Sequence, residues 1–411
     1  MPELDRRTLI GSGLAAALPL PLAMPAFATN MAMPPAIGRA ERESRLRRAQ
    51  QRMQAVGIGS ILVEPGASLD YLTGVQWRRS ERVTAAVIPA RGAPIIVTPF
   101  FERPSVAETL GVDAEIRVWQ EHEDPAALVA GFLRERRLAG EPVGMEESVR
   151  WFVSDGLRHH LPRTRLTSAD PVIRALRMIK SPAELALMNY AAHITQRALR
   201  LTHGKVNEGM SAGEIGRLFR EAVAKAGGED AWALVLIDEA SALPHGTGKP
   251  QQVKRGSVVL MDCGCGVHGY QADISRTFVF DADPTREQRK VWEQVRRGQD
   301  IVMTTARVGV PAGAVDDAVR RAYESWGYGP DYRLPGLSHR TGHGIGMEGH
   351  EPVNLVRGET TRLAPGMCFS NEPGIYRPGE FGVRLEDCFH MTAAGPKWFT
   401  TPPPSIDRPF G

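Results

Sequence analysis

The sequence predicts a mixed α/β protein of two domains, the second of which is built from two similar halves. Residues from about 40 to 170 alternate helical and strand patterns, with strands over "GSILV" and "AEIRVW" and a hairpin over "TAAVIPARGAPIIVTP". A capped helix begins at "SPAE" (181–184), and beyond it a segment recurs at an offset of 100 residues. We therefore expect one domain over 29–175 and a second over 176–411.

The first 28 residues have the layout of an export signal. Arg6 and Arg7 precede an apolar run that ends in a small-x-small site at residues 26–28, which is typical of a twin-arginine signal. The run is shorter than the roughly 20 residues that a membrane span needs, and prolines interrupt it. The sequence predicts a periplasmic or exported protein without membrane insertion.

The charge of the chain is too small to indicate a nucleic-acid partner. The formal net charge is +3, and removal of the signal leaves it unchanged because Arg6 and Arg7 leave with Glu3 and Asp5. Four arginines of "ESRLRRAQQRM" are interpreted as the solvated face of a helix: Arg45, Arg47, Arg48 and Arg52.

The repeated segment orders histidines and acids in the same way in both halves. "GMSAGEIGRLFREAVAKAG" (209–227) and "GVPAGAVDDAVRRAYESWG" (309–327) each predict a helix ended by glycine. Each is followed by a histidine segment and then by two strands bearing two acids. These residues are His245, Asp262 and Asp273 in the first half, and His339, His343, Glu372 and Glu386 in the second. Packing about a pseudo-twofold axis would bring them to one centre.

Four carboxylates at one centre need cations to offset their repulsion. Oxygen-rich ligation with an imidazole nitrogen suits a pair of divalent ions such as Mn²⁺, Co²⁺, Fe²⁺ or Zn²⁺. The histidine-rich stretch "HRTGHGIGMEGHE" (339–351) is not the HExxH zinc motif, because Arg340 stands where the glutamate would be. The four cysteines, Cys263, Cys265, Cys368 and Cys388, are expected to be buried free thiols.

These motifs resemble the pita-bread metallopeptidases, the family of aminopeptidase P, prolidase, methionine aminopeptidase and creatinase. The resemblance rests on His245, on Asp262 and Asp273 eleven residues apart, and on "HRTGHGIGMEGHE", "NEPGIY" and "GVRLED". It covers about 175–395, while 40–170 is similar to the creatinase-type N-terminal domain through "YLTGVQW". It implies a creatinase-like α/β domain followed by a pita-bread catalytic domain with a pseudo-twofold repeat.

The resemblance also implies the roles of the site residues. Two divalent ions, with Mn²⁺ as first choice and Co²⁺, Zn²⁺ or Fe²⁺ as alternatives, would be held by Asp262, Asp273, His343, Glu372 and Glu386, with Asp273 and Glu386 as bridges. Glu372, His350, His245 and Arg384 would act in catalysis: Glu372 as proton acceptor, His350 on the oxyanion and Arg384 in orienting the carboxylates. His245, His339 and His350 would contact the substrate.

The four histidines resemble those of the proline-specific branch, which implies a Xaa-Pro aminopeptidase that releases the residue before proline. The alternatives are a Xaa-Pro dipeptidase (prolidase) and a non-peptidase hydrolase or lyase of this fold acting on a small zwitterion. A binding-only relative and a periplasmic solute-binding protein are weaker interpretations, because neither explains intact metal ligands. Peptide or small-molecule substrates and a homodimer or homotetramer are expected.

Overall fold

The structure, a computed structural model, describes residues 31–410. The predicted export signal over 1–28 lies outside them. Within 31–410, no helix combines the length and apolar character that a membrane span needs.

The N-terminal part is built on one six-stranded sheet. Its strands are β1 (Ser60–Val63), β2 (Ala85–Pro89), β3 (Ile95–Pro99), β4 (Glu115–Trp119), β5 (Val143–Met145) and β6 (Leu166–Ser168). They lie in the order β4-β3-β2-β1-β5-β6. The predicted hairpin is confirmed, because β2 and β3 pair antiparallel. The pairs β1–β5 and β3–β4 are parallel.

Helices cover both faces of this sheet. They are α1 (Arg39–Val56), α2 (Ala67–Thr73), α3 (Arg103–Thr109), α4 (Pro125–Glu135), α5 (Trp151–His160) and α6 (Asp170–Arg177). Because side chains alternate along a strand, Ile61 and Val63 pack with α1, α2 and α6, whereas Leu62 packs with α4 and α5. Two cores follow, one on each face.

Arg45 contradicts the predicted solvated face of α1. Its side chain is fully buried, its Nη2 lies 3.3 Å from Glu184 Oε1, and it donates to Tyr270 Oη at 2.9 Å. The other three arginines of the stretch are exposed. The interpretation was wrong for Arg45 because its partners lie about 140 and 225 residues further along the chain, and pairing is what makes a buried charge tolerable.

The C-terminal part begins at α7 (Pro182–His203). The Ser181 side chain accepts from the Glu184 N–H, and the Glu184 side chain accepts from the Ser181 N–H, with Pro182 in the first turn. The predicted helix start is confirmed. The two reciprocal hydrogen bonds satisfy the Ser181 and Glu184 N–H groups, which have no backbone acceptor in the first turn of the helix.

The elements after α7 form two halves. The first has α8 (Ala212–Lys225), β7 (Glu229–Ile237), β8 (Val258–Val267) and β9 (Tyr270–Val279). The second has α9 (Arg286–Thr305), α10 (Ala312–Ser325), β10 (Gly342–Gly344), β11 (Glu351–Leu355), β12 (Cys368–Asn371), β13 (Gly374–Arg377), β14 (Phe381–Arg384), β15 (Asp387–Thr392) and β16 (Gly395–Trp398). The sheets are β7-β8-β9, β11-β10-β12-β15-β16 and β13-β14.

The internal repeat is visible in α8 and α10. Both helices occupy the same positions of the repeated segment, and each is followed by a glycine with positive φ, 81° at Gly227 and 91° at Gly327. The left-handed conformation there is one that glycine adopts without the strain of a Cβ.

The two halves join at Ser275 and Glu386. The Ser275 N–H donates to the Glu386 carbonyl at 3.2 Å, and the Glu386 N–H donates to the Ser275 carbonyl at 3.1 Å. This reciprocal exchange is the antiparallel pattern, so the two halves are joined by backbone hydrogen bonds at Ser275 and Glu386. All four cysteines are buried and free, as expected.

Candidate metal centre and active site

One face of the β7-β8-β9 sheet carries the acids of the first half. Asp262 on β8 lies opposite Ser275 on β9, and Gly264 lies opposite Asp273. Since alternate residues of a strand share a face, all four positions face the same side. Cys263, between them, points to the opposite core.

The second half brings an imidazole and two acids to this face. His343 is the middle residue of β10, Glu372 follows β12, and Glu386 lies between β14 and β15. His343 Nε2 lies 3.5 Å from Glu372 Oε1 and 3.8 Å from Glu386 Oε1. The same nitrogen lies 3.8 Å from Asp273 Oδ2, so side chains from both halves converge.

The converging ligand atoms form three overlapping groups, each with its atoms within 4.8 Å of one another. They are Asp262, Asp273 and Glu386; His343, Glu372 and Glu386; and Asp273, His343 and His350. Asp273, Glu386 and His343 each belong to two groups, and the two carboxylates among them lie where a carboxylate shared by two ions would lie.

The chemistry of these groups fits divalent cations. Asp273 Oδ1 and Glu386 Oε1 are buried and accept no hydrogen bond within the described chain. The Nδ1–H of His343 donates to the Gly344 carbonyl at 3.1 Å, which leaves the Nε2 lone pair directed at the acids. Free acceptors of this kind are costly when buried unless a cation takes them up.

Burial and mutual repulsion shift the pKa values at the centre. Burial, followed by the charge of Asp262, raises the pKa of Asp273 well above its ordinary value. Burial, followed by Asp273, does the same to the pKa of Glu386, and burial raises the pKa of Glu372 to about 7. A bound cation reverses this effect because it stabilises the ionised carboxylates.

Ser275 and Arg384 hold the first-half acids in place. Ser275 Oγ lies 3.0 Å from Asp262 Oδ1 and 2.8 Å from Glu386 Oε2, so its one proton can serve either carboxylate. Arg384 donates from Nη2 to Asp262 Oδ2 at 2.5 Å and from Nε to Ser275 Oγ at 3.2 Å. Arg384 thus lies where its expected orienting role requires. Ser275 was missed, although it lies two residues after Asp273 and therefore on the same strand face.

His339 is linked to Arg384 through Tyr376. The Nδ1–H of His339 donates to the Arg340 carbonyl at 2.7 Å, and Nε2 accepts from the Tyr376 hydroxyl at 2.7 Å. Arg384 Nη1 donates to the same hydroxyl at 3.1 Å. Burial and then Arg384 lower the pKa of His339 to about 3, so the ring is neutral. Both ring nitrogens are occupied, and Tyr376, within "GIY", was not foreseen.

His350 and His245 are the exposed histidines of the site. The His350 ring stands nearly perpendicular to the His343 ring, with centroids 4.1 Å apart. Burial and then Arg340 lower the pKa of His350, so a neutral ring with one N–H faces the centre. His245 borders a cavity of about 480 Å³ between α8 and β7. Both positions are open to a substrate.

Glu351 fixes the loop that carries His350. It accepts from Arg177 Nη2 at 2.5 Å, from Lys180 Nζ at 3.1 Å and from two backbone N–H groups of the loop. Arg177 also donates to Ser68 Oγ of α2 at 2.9 Å. The N-terminal part therefore contacts the catalytic loop through a buried ion cluster.

The chain matches two known family models, one over each of its two parts. Residues 186–393 match the model of metallopeptidase family M24, and residues 45–179 match that of the creatinase/prolidase N-terminal domain. The chain belongs to metallopeptidase family M24. The pita-bread fold and the metallopeptidase activity expected from the motifs are confirmed, and divalent metal ions are the family's cofactors.

Relatives of this M24 peptidase are similar over most of its length. The probable dipeptidase PepE of Mycobacterium tuberculosis is 32% identical over 82% of this chain and 89% of its own. The Xaa-Pro dipeptidase of Lactobacillus helveticus is 29% identical over 86% of this chain and 96% of its own. The crystal structure of dipeptidase PepE from Mycobacterium ulcerans has a TM-score of 0.81 at 30% identity, covering 90% of this chain and 98% of that one.

Proposed function

We propose that this M24 peptidase is a metal-dependent dipeptidase that cleaves Xaa-Pro dipeptides. The observation that carries the proposal is the likeness, over nearly the whole chain, to proteins named dipeptidase and Xaa-Pro dipeptidase. The sequence alone favours an aminopeptidase, and these relatives support the dipeptidase alternative better.

We further propose that two ions, with Mn²⁺ as first choice, are held at this centre. Asp262 and the bridging pair Asp273 and Glu386 would hold one, and His343 and Glu372 with the same bridge would hold the other. Bound divalent ions supply Lewis acidity, which polarises a carbonyl and makes water a stronger acid.

Glu372 is the best placed of the acids to move a proton. Its side chain is 13% exposed, against 7% for Asp273 and 2% for Glu386, while Asp262 is tied to Arg384. Glu372 can therefore accept a proton from water at the cleft and return it to the departing proline nitrogen. That nitrogen leaves as a secondary amine and needs the proton.

His350 and His245 can position and stabilise the substrate, whereas both ring nitrogens of His339 are engaged within the protein. The N–H of the neutral His350 ring can donate to the oxyanion that forms from the scissile carbonyl, while His339 is fixed by Tyr376. His245, which is exposed and borders the cavity between α8 and β7, can contact the residue before proline. Fixed donors of this kind orient the scissile bond.

The test is hydrolysis of Ala-Pro, Ala-Pro-Ala and Ala-Ala by the Mn²⁺-loaded full chain. A dipeptidase specific for proline should cleave Ala-Pro fastest. Faster cleavage of Ala-Pro-Ala would favour the aminopeptidase, and equal cleavage of Ala-Ala would remove the proline preference. Failure to cleave any of the three with metal bound would refute the proposed function.

A further inference from the structure

The cavity between α8 and β7 contains an arginine without a partner. Arg220 on α8 and Thr247, two residues after His245, both line this cavity of about 480 Å³. Across residues 31–410, Arg220 forms no hydrogen bond and no ion pair. Thr247 Oγ1 accepts from the Lys249 N–H at 3.2 Å, which leaves its hydroxyl proton free to donate. The cavity therefore presents a cation and a hydroxyl donor to a ligand that enters it.

The second half of the repeat shows what such a pair of donors binds. Asp316 Oδ2 accepts from Arg320 Nε at 2.7 Å, and Asp316 Oδ1 accepts from the Thr341 hydroxyl at 2.6 Å. All three side chains are buried. Thr341 in "LSHRTG" and Thr247 in "LPHGTG" occupy the same place in the two histidine segments. In the second half, one carboxylate thus joins the arginine of the helix to this threonine.

The first half keeps the arginine but lacks the carboxylate. At the repeat's offset of 100 residues, Arg220 corresponds to Arg320, and Gly216 corresponds to Asp316. A Cβ added at Gly216 would lie 3.4 Å from Arg220 Nη1 and 3.6 Å from the Ala233 Cβ, which is ordinary contact. The glycine therefore leaves room beside the guanidinium, where the second half has an acid. A carboxylate from outside the chain can take this place, because a guanidinium binds carboxylates through several N–H donors.

The cavity lies next to the metal centre. Leu234 of β7 lines the cavity and is directly opposite Asp262 of β8, so the two side chains share a face with their Cβ atoms roughly 5 Å apart. His245, which borders the same cavity, is proposed above to contact the residue before proline. A glutamate side chain extends about 5 Å from its Cα. The side chain of the residue before proline can therefore enter the cavity when the scissile carbonyl is at the metal centre.

We propose that the cavity is a carboxylate site, in which Arg220 and Thr247 bind an acidic side chain of the residue before proline. The inference rests on the proposed function and names a preferred substrate class within it, the dipeptides with an acidic residue before proline. The bound carboxylate would occupy the place that corresponds to Asp316 in the second half. A neutral amide of the same shape can accept hydrogen bonds there but forms no ion pair with Arg220.

The first experiment compares Glu-Pro with Gln-Pro, which have the same shape, by kcat/KM of the metal-loaded full chain. Wild type should prefer Glu-Pro roughly 3- to 10-fold, as expected of a charge-assisted pair that is partly open to solvent, and Arg220→Met should lose this preference. Arg217→Met is the matched control, because Arg217 is exposed on the same helix, pairs with Glu221 and does not line the cavity. Equal kcat/KM for the two dipeptides in wild type, or a preference that survives Arg220→Met, would overturn the site.

Gly216→Asp provides a test that leaves Arg220 in place. The new carboxylate should pair with Arg220 as Asp316 pairs with Arg320, and it should therefore exclude the carboxylate of Glu-Pro. The preference for Glu-Pro should be lost in Gly216→Asp and kept in Gly216→Asn, which has the same shape without the charge. An undiminished preference in Gly216→Asp, with its Tm at the wild-type value, would count against the proposal.

Calorimetry on the same metal-loaded proteins separates this inference from the proposed function. If wild type cleaves neither dipeptide, the dipeptidase is refuted, but tighter binding of Glu-Pro than of Gln-Pro that Arg220→Met removes still supports the carboxylate site. Equal binding of the two would refute the site as well. Cleavage of both dipeptides with equal kcat/KM would overturn the role of Arg220 while leaving the dipeptidase intact.

Discussion

His350 is the residue at which a ligand role and a catalytic role have to be distinguished. One of its ring nitrogens lies in a possible metal group with Asp273 and His343, yet the His350 side chain is exposed whereas theirs are buried. The other two possible metal groups do not contain His350. They are Asp262, Asp273 and Glu386, and His343, Glu372 and Glu386. Because the His350 side chain is exposed and two metal groups form without it, we expect His350 to contact the substrate and not a metal ion.

We predict that His350→Ala lowers kcat by roughly 10²- to 10³-fold, the usual effect of losing one donor to an oxyanion. The metal content of the purified protein should stay at the wild-type value, which elemental analysis checks. His122→Ala, remote in the N-terminal part and exposed, is the control. Loss of bound metal in His350→Ala would instead make His350 a metal ligand.

At the scale of elements, the segment from β10 to the start of β11 owes its shape to one buried carboxylate. Burial alone would raise the pKa of Glu351, but Lys180 and Arg177 outweigh it and lower the pKa to about 2. Both cations come from the linker between α6 and α7 or its border, so two distant segments of the chain meet at Glu351.

We predict that Glu351→Gln destabilises the protein by about 3–5 kcal/mol at pH 7, since it removes the carboxylate that pairs with Lys180 and leaves Arg177 with only the exposed Glu348. Because the folded-state pKa is below the ordinary value of 4.5, the wild-type advantage is fully present above about pH 4.5 and declines as the pH falls towards 2. Urea unfolding of both proteins between pH 7 and pH 3 measures this.

Glu348→Gln is the control for this prediction. Glu348 also pairs with Arg177, but its side chain is 53% exposed, and an exposed pair contributes little. An equal loss of stability in both variants, or a difference that does not change with pH, would contradict the role given to Glu351.

At the scale of the whole molecule, the metal centre makes the stability of the fold depend on pH. Without a cation, the buried carboxylates of Asp273 and Glu386 repel each other when they are ionised. The folded state holds protons on Asp273 and Glu386 more tightly than the unfolded chain does. Their contribution to stability is therefore present at low pH and is lost as the pH rises through the raised folded-state pKa values.

We predict that the Tm of chelator-treated protein falls between about pH 5 and pH 8, and that Mn²⁺ restores it most strongly at the upper end. Asp273→Asn, which removes one of the repelling carboxylates, should show a flatter metal-free profile and a smaller response to Mn²⁺. Thermal unfolding across this range provides the measurement. A metal-free Tm that rises with pH would show that the acids do not strain the fold.

Short stretches of the sequence are enough to specify the local features of this protein. The capping box at Ser181 and Glu184 and the matching helices of the repeat follow from short-range periodicity and backbone chemistry, which neighbouring residues encode. The order of histidines and acids was sufficient to identify the family, because each motif lies within a short stretch of the sequence.

Which side chains from distant segments meet is visible only in the packed fold. The buried pairing of Arg45 with Glu184, the exchange of backbone hydrogen bonds between Ser275 and Glu386, and the contact of Arg340 with Asn354 all depend on register and packing. The hydrophobic periodicity of a sequence assigns a residue to one face of a helix or strand, but it does not predict which distant residue that side chain contacts. The partner, in each of these cases, is what determines whether a charge is solvated or buried.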